Sequence, residues 1–326
     1  MGHSNWNDAA YTARQKVRQE NNTSAFAYDT HVRETGKVAI HPQMNVMGKI
    51  RESRDSDEHP QSVAIAVLLD VTGSMLEVPV VLQNKLGSLM NLLLKKGYVS
   101  DPQILFGAIG DAHSDRVPLQ IGQFESGLEM DDELGKIYLE GGGGGTSHES
   151  YELGLYTMAY HTSIDCYEKR QHKGYLFTIG DEKPYNVINR HQITYLLGDD
   201  LPENLPINKV LADVLEKFNY FHIIPTNTSY RGDPAIRKHW QDLLGERVLI
   251  LDDEAAVSET IALTIGLCEG TLHNLDQGQA DLVDAGYSPD NANHAVQALK
   301  PYAQNNPKPS MIKRFFGKSL PPATRI

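Results

Sequence analysis

Cysteine is scarce: Cys166 and Cys268 are the two in a chain of 326 residues, far apart and without the paired spacing of a structural zinc site. Such a chain is expected in a reducing compartment, with both thiols buried. Positive charge is also short. Thirty Lys and Arg face 42 Asp and Glu, a net charge of −12, which argues against a general nucleic-acid binder, because a basic stripe supplies most of that affinity. No run of about 18 apolar residues is present, so no membrane span is expected. The opening "MGHSNWNDAAYTARQKVRQENN" is polar and holds no secretory signal. A cytoplasmic location follows as the expectation, and the sequons at Asn21, Asn22 and Asn227 then carry no meaning.

Other absences narrow the chemistry. The phosphate-loop pattern G-x-x-x-x-G-K-[ST] is missing: "GGGGGTS" has no lysine, and "GKS" at Gly317–Ser319 has Ile312 where the first glycine should stand. No Asp-x-Asp follows the first buried strand, because Thr72 takes the place of the second acid. No Ser/His/Asp set can be assembled from spacing.

What is present is a globular composition, 40% apolar and 22% charged. Residues 1–61 have too few apolar positions for a core of their own: a polar helix over Asn7–Glu20, a short strand "KVAI" at Lys37–Ile40, and a charged loop over Arg51–Pro60. This extension is expected to wrap the main domain or to await a partner. From Ser62 the pattern changes. "SVAIAVLLD" reads as a strand buried on both faces, and Leu82, Leu86, Leu89 and Leu93 mark one helix face closed by Lys95-Lys96-Gly97. "QILFGAIG" and "VPLQIGQF" form a hairpin-like pair, with a short helix near Met130–Leu139. After Gly141–Gly145 comes a helix facing with Tyr151, Leu155, Met158 and Ala159. Strands "KGYLFTIG", "YFHIIP" and "RVLIL" then alternate with helices over Val187–Leu197, Ile207–Phe218, "DPAIRKHWQDLLG" and Glu254–Glu269. The fold class is α/β: a doubly wound, mostly parallel central sheet flanked by helices over 62–270. Residues 271–303 form a C-terminal helical segment. "DLVDAGYSPDNANHAVQAL" there is similar to a ubiquitin-associated helical module, but a hairpin packed on the main domain is the favoured reading. Residues 304–326 are a basic, proline-containing tail.

Three places bring oxygen ligands to strand ends, where open α/β sheets collect ligands. Asp70, Thr72 and Ser74 alternate in "LLDVTGSM"; Thr146 follows the glycines; Asp181 follows "YLFTIG". If the strands are neighbours, the loops converge. Hydroxyls from Thr72, Ser74 and Thr146, with charge from Asp70 and Asp181, suit a hard cation that wants six oxygens. Each part has a local alternative: "TSHE" at Thr146–Glu149 is also a capping box, Ser74 can cap a helix, and Asp70 and Asp181 can close turns. The glycine run gives either close backbone approach or a flexible linker. Asp111 and Asp115 either rim the site or serve a hairpin turn, Glu182 is expected to be solvated, and His113, His148 and His161 take ordinary polar roles near the rim. "RGD" at Arg231–Asp233 is taken as chance or as capping by Asp233.

"DVTGSM", a threonine before a later helix and "TIGDE" at a later strand end together resemble the von Willebrand factor type A (vWA) domain with its metal-ion-dependent adhesion site (MIDAS). Phrases such as "EGGGGGTSHESYELGLY" are similar to intracellular bacterial and phage members. The resemblance implies five metal-site residues, Asp70, Thr72, Ser74, Thr146 and Asp181, with Thr72 standing where the family pattern usually has serine. It implies Mg²⁺, with Mn²⁺ or Ca²⁺ as alternatives, and a protein partner whose Asp or Glu completes the metal's shell. Some bacterial relatives work beside MoxR-type AAA+ ATPases, and self-association through the same metal is a further expectation. The expected function is a non-enzymatic interaction module. The alternatives are a metal-assisted hydrolase of phosphoester type using the same acids, or a scaffold whose site is unused.

Overall fold

The structure is a computed structural model that describes residue 2 and residues 4–75, 77–142, 147–228 and 233–306. Its central sheet has six strands: β2 (Ser62–Asp70), β3 (Asp101–Ile109), β4 (Leu119–Ile121), β7 (Gly174–Ile179), β11 (Phe218–Pro225) and β12 (Val248–Leu251). They lie in the order β12-β11-β7-β2-β3-β4. Neighbours run parallel except β3 and β4, which form the expected antiparallel pair. Three short pairs decorate the sheet. β1 (Arg51–Ser53) joins β6 (Thr162–Ile164) and β5 (His148–Glu149) joins β8 (Lys183–Pro184), both parallel; β9 (Val187–Ile188) meets β10 (Leu205–Pro206) antiparallel.

Successive side chains of a strand point to opposite faces, and β2 shows why its run is continuously apolar. Ile65, Val67 and Leu69 enter one core, shared with α3 (Glu77–Asn84), α4 (Leu86–Lys95) and α11 (Val257–Glu269). Ala64, Ala66 and Leu68 enter the other, shared with α6 (Tyr151–Tyr160), α8 (Arg190–Leu197), α9 (Ile207–Lys217) and α10 (Pro234–Leu244). Helices therefore cover both faces, as the doubly wound class requires. The flanking segments join the first core. α1 (Asp8–Glu20), capped by the Asn7 side chain, contributes Tyr11, and Phe26 precedes α2 (Ala27–Thr35). Arg18 of α1 pairs with Asp131 on α5 (Glu129–Leu134) at 2.5 Å. At the other end, α12 (Leu275–Asp284) and α13 (Pro289–Asn305) bury Leu282, Ala292, Ala295 and Leu299 in that core. This is the packed hairpin and not a separate helical module. Residues 307–326 of the tail lie outside the described residues.

Several local expectations are corrected. "KVAI" is not a strand: Val38 and Ile40 pack on Val32, Val117 and Tyr138, and no strand among the described residues pairs with them. The strand of the extension is β1, inside the expected charged loop, where Arg51 sends its guanidinium to the carbonyls of Gln43 and Ile121 at 2.7 Å each. The single leucine-faced helix is two helices, broken at Lys85, whose ammonium reaches Glu259 on α11 at 2.6 Å. Val187–Ile188 pairs as a strand before α8 begins. α7 (Asp165–Arg170) carries Cys166, which is buried, whereas Cys268 is half-buried beside the Tyr302 hydroxyl at 3.4 Å; neither is in a disulfide.

Candidate metal centre

β2 lies between β3 and β7. The chain leaves β2 to build β3 and β4 on one side, then crosses to build β7 on the other. The carboxyl ends of β2 and β7 thus flank the point where the connections part, the place where open α/β sheets form a crevice. Asp70 ends β2, Asp181 stands two residues past β7, and Asp111 two residues past β3. These three carboxylates are 0%, 1% and 1% exposed.

The local chain holds Asp70 in one orientation. Its Oδ1 accepts from the Thr72 backbone N–H at 2.9 Å and from the Thr72 hydroxyl at 2.6 Å. Its Oδ2 accepts from the Tyr151 hydroxyl at 3.0 Å. Thr72 donates its proton inward, so the lone pairs of its oxygen are left for a cation. The loop after Thr72 turns through a 3₁₀ segment, Gly73–Met75, and is pinned by the glycine run. Gly73 N–H donates to the Gly142 carbonyl at 2.8 Å, and Gly141 N–H to that of Val71 at 3.2 Å. The first glycines therefore supply close backbone approach; residues 143–146 lie outside the described residues.

Around this trio sit more acids than sequence reasoning foresaw. Glu149 and Glu152 are 2% and 1% exposed, and each keeps one carboxylate oxygen without a hydrogen-bond partner. Glu182, expected to be solvated, is 6% exposed, and its carbonyl accepts from the Trp240 indole N–H at 2.8 Å. Burial, and then the charges of Asp181 and Glu182, push the Asp70 carboxyl up to about 7 against the opposing hydrogen bonds from Thr72. Burial, then Asp70 and Glu182, push Glu149 far above the carboxylate range. Burial likewise raises Glu152 to about 8. Among the described residues, neither Asp70 nor Glu149 pairs with Lys or Arg. Buried carboxylates without cationic partners are costly, and a bound cation reverses that balance. Orphaned acid oxygens and an inward-donating hydroxyl are a donor set that fits a hard, oxygen-seeking ion. No group of three or more His, Cys, Asp or Glu stands in metal-holding array among the described residues.

Of the five expected ligands, Asp70, Thr72 and Asp181 come to one edge. The backbone of Ser74 lies in the 3₁₀ segment beside them; its side chain, and all of Thr146, lie outside the described residues. Of the capping box at "TSHE", Thr146 lies outside the described residues; Glu149 sits in β5 and the next helix begins at Tyr151. Asp111 is an inner acid, accepting from the Tyr185 hydroxyl at 3.1 Å, while Asp115 holds the Asp111 N–H at 2.7 Å. His161 is not at the rim. It follows the far end of the ten-residue α6, about 15 Å away, and bonds Asp199 at 2.8 Å. Asp233 caps α10 through the Ala235 N–H at 2.7 Å; Arg231 and Gly232 lie outside the described residues.

The arrangement defines an open α/β sheet with an acid- and hydroxyl-lined centre at its switch point. Solved chains of similar fold include the open conformation of the pilus adhesin SpaC from Lactobacillus rhamnosus GG, 11% identical over 68% of this chain and 31% of that one, TM-score 0.43. Proximal thread matrix protein 1 from the mussel byssus, in a form with a zinc-occupied MIDAS motif, is 10% identical over 70% and 51%, TM-score 0.42. A von Willebrand factor type A protein from Catenulispora acidiphila is 12% identical over 64% and 43%, TM-score 0.34. This chain thus spans from a third to a half of each. No protein-family model and no curated protein sequence matches it. Among the described residues, no helix is long and apolar enough to cross a membrane.

Proposed function

We propose that the chain is a metal-dependent protein-interaction module of the vWA type. Asp70, Thr72, Ser74, Thr146 and Asp181 hold a divalent cation, Mg²⁺ foremost, and an Asp or Glu of a partner protein completes its shell. The observation that carries this reading is the buried Asp70–Thr72 unit at the carboxyl end of β2, whose hydroxyl spends its proton on Asp70 and keeps its lone pairs for a cation, close to the buried Glu149 and Glu152 with their orphaned oxygens. A cation bound there supplies a positive centre that an incoming carboxylate can join by displacing water. The finer parts of the proposal are a cytoplasmic setting, a MoxR-type AAA+ ATPase among the partners, and the division at 61, 270 and 303. Self-association through the metal is tested by gel filtration with and without chelator; an unchanged size removes it.

Titration calorimetry with Mg²⁺ tests the site. Asp70→Ala is expected to lose measurable binding while keeping its fold. Thr72→Val is expected to lose about tenfold or more, and Thr72→Ser to stay near the wild type, since only the hydroxyl is a ligand. Unchanged Mg²⁺ affinity in Asp70→Ala removes the proposal. The hydrolase alternative draws on the orphaned oxygens of Glu149 and Glu152 as groups to orient a water. It predicts phosphoester turnover with Mg²⁺ or Mn²⁺ that Asp181→Ala abolishes.

A further inference from the structure

The strands beside the acidic floor carry a second layer of opposite character. On β5, His148 is half-exposed and Glu149 is buried; along the run leading through β8, Glu182 is buried, Lys183 half-exposed, Pro184 buried and Tyr185 half-exposed. The period of two in a strand thus sorts acids inward and cationic or aromatic groups outward on the same few residues. His148 and Lys183 are register partners across the pair. The Tyr185 ring lies between two imidazoles, 4.7 Å from His113 and 5.2 Å from His148, and its hydroxyl is anchored to Asp111 below. His239 on α10 completes the set. Burial, and then the charges of Lys183 and His148, hold its imidazole below the ordinary value, and burial, then Lys183, do the same to His148, so near neutral pH these imidazoles are neutral N–H donors around the Lys183 ammonium.

Resting on the metal-module reading, we infer that His113, His148, Lys183, Tyr185 and His239 form the partner-contacting rim of the site, and that this rim selects an acidic stretch, adjacent Asp or Glu residues, over an isolated carboxylate. The floor binds the cation and one carboxylate; the Lys183 ammonium and the imidazole N–H groups beside it take the neighbouring ones. In a chain of net charge −12, long-range attraction does not bring an acidic partner in, so local complementarity must.

Two nine-residue peptides test this by fluorescence anisotropy, in Mg²⁺ and in EDTA. One has a single central Glu in a Gly/Ser background; the other has three consecutive Glu in the same background. The wild type in Mg²⁺ is expected to bind the three-Glu peptide about tenfold tighter. That advantage is expected to shrink below about twofold in 0.5 M salt, where exposed charges are screened. It is also expected to vanish in a His148→Gln/Lys183→Gln variant, whose single-Glu binding stays near the wild type. No preference in the wild type, or a preference that survives in the variant, overturns the inference while leaving the metal module standing. A preference that the variant loses but that EDTA leaves intact upholds the rim and overturns the metal module.

Discussion

In chelator above pH 7, Asp70→Asn is expected to melt higher than the wild type. Mg²⁺ is then expected to raise the wild type and leave the variant where it was. The asparagine keeps an oxygen for the Thr72 N–H and hydroxyl and removes a charge that burial and neighbouring acids oppose. Asp70 is raised from 3.8 to about 7. At about 1.4 kcal/mol per pH unit, that is a penalty on the order of 4 kcal/mol once the group is fully ionised, or roughly 5–10 °C in a chain of this size. The sign follows from proton counting. Between 3.8 and about 7 the folded chain holds a proton on Asp70 that the unfolded chain has released, so wild-type stability falls as pH rises through that window. The gap between the two proteins should therefore be widest above pH 7 and close toward pH 4. Saturating Mg²⁺, at about a hundred times its dissociation constant, should return about 2.7 kcal/mol to the wild type alone. Thermal melts from pH 4 to 8, in EDTA and in Mg²⁺, measure all of this. An asparagine variant that melts below the wild type at pH 8, with a parallel pH profile, would show that the acids are already compensated without a cation.

The place of Asp70, Thr72 and Asp181 at strand ends was legible in the sequence because strand ends can be read from it: a buried apolar run stops, and oxygens follow. The same logic gives both faces of β2 and the order of the main strands and helices. It does not give partners distant in the chain. Tyr151 reads as one more apolar position on a helix face, since only the crossing of α6 over β2 aims its hydroxyl at Asp70. Glu182 reads as solvated beside Asp181, yet it is buried, and its carbonyl meets the Trp240 indole N–H from a helix far along the chain. The break at Lys85 is equally invisible, because the leucine spacing continues through it, and the partner the Lys85 ammonium meets there, Glu259 on α11 at 2.6 Å, is distant in the chain. "KVAI" fails for the converse reason: its composition suits a strand, but no edge among the described residues pairs with it. Signals carried by period and position survive the passage to three dimensions; signals that need a second segment do not.

The second large effect is expected at Gly180, the residue between β7 and Asp181. A Cβ added there would strike the Tyr151 hydroxyl oxygen, far inside contact distance, and approach the Asp70 Cβ to 2.9 Å. Neither neighbour has room to yield. Tyr151 is fully buried, with edge-on contacts to His222 at 5.5 Å and Trp240 at 5.2 Å, and Gly180 itself is tied through its N–H to the Ile223 carbonyl at 3.1 Å. Gly180→Ala is therefore expected to cost about 3 kcal/mol of stability, at the upper end of overpacking changes. It should also weaken Mg²⁺ binding at least tenfold, because whichever of Tyr151 and Asp70 moves, the carboxylate loses its set orientation. Tyr151→Phe alone is expected to cost about 1–2 kcal/mol, the value of a buried donor lost from a carboxylate. The double variant separates the two causes. Removing the hydroxyl removes the atom that the alanine methyl strikes, although the ring carbon that bore it remains 2.9 Å away. The two costs should then fall short of adding by about 1 kcal/mol or more. Denaturant unfolding of the four proteins of this cycle measures the shortfall. Strict additivity would mean that alanine displaces the β7 loop and not Tyr151, and that the glycine serves the backbone and not the site. A shortfall with Mg²⁺ affinity still low in the double variant would place the defect at Asp70 itself, since the tyrosine would then be relieved and the carboxylate still displaced.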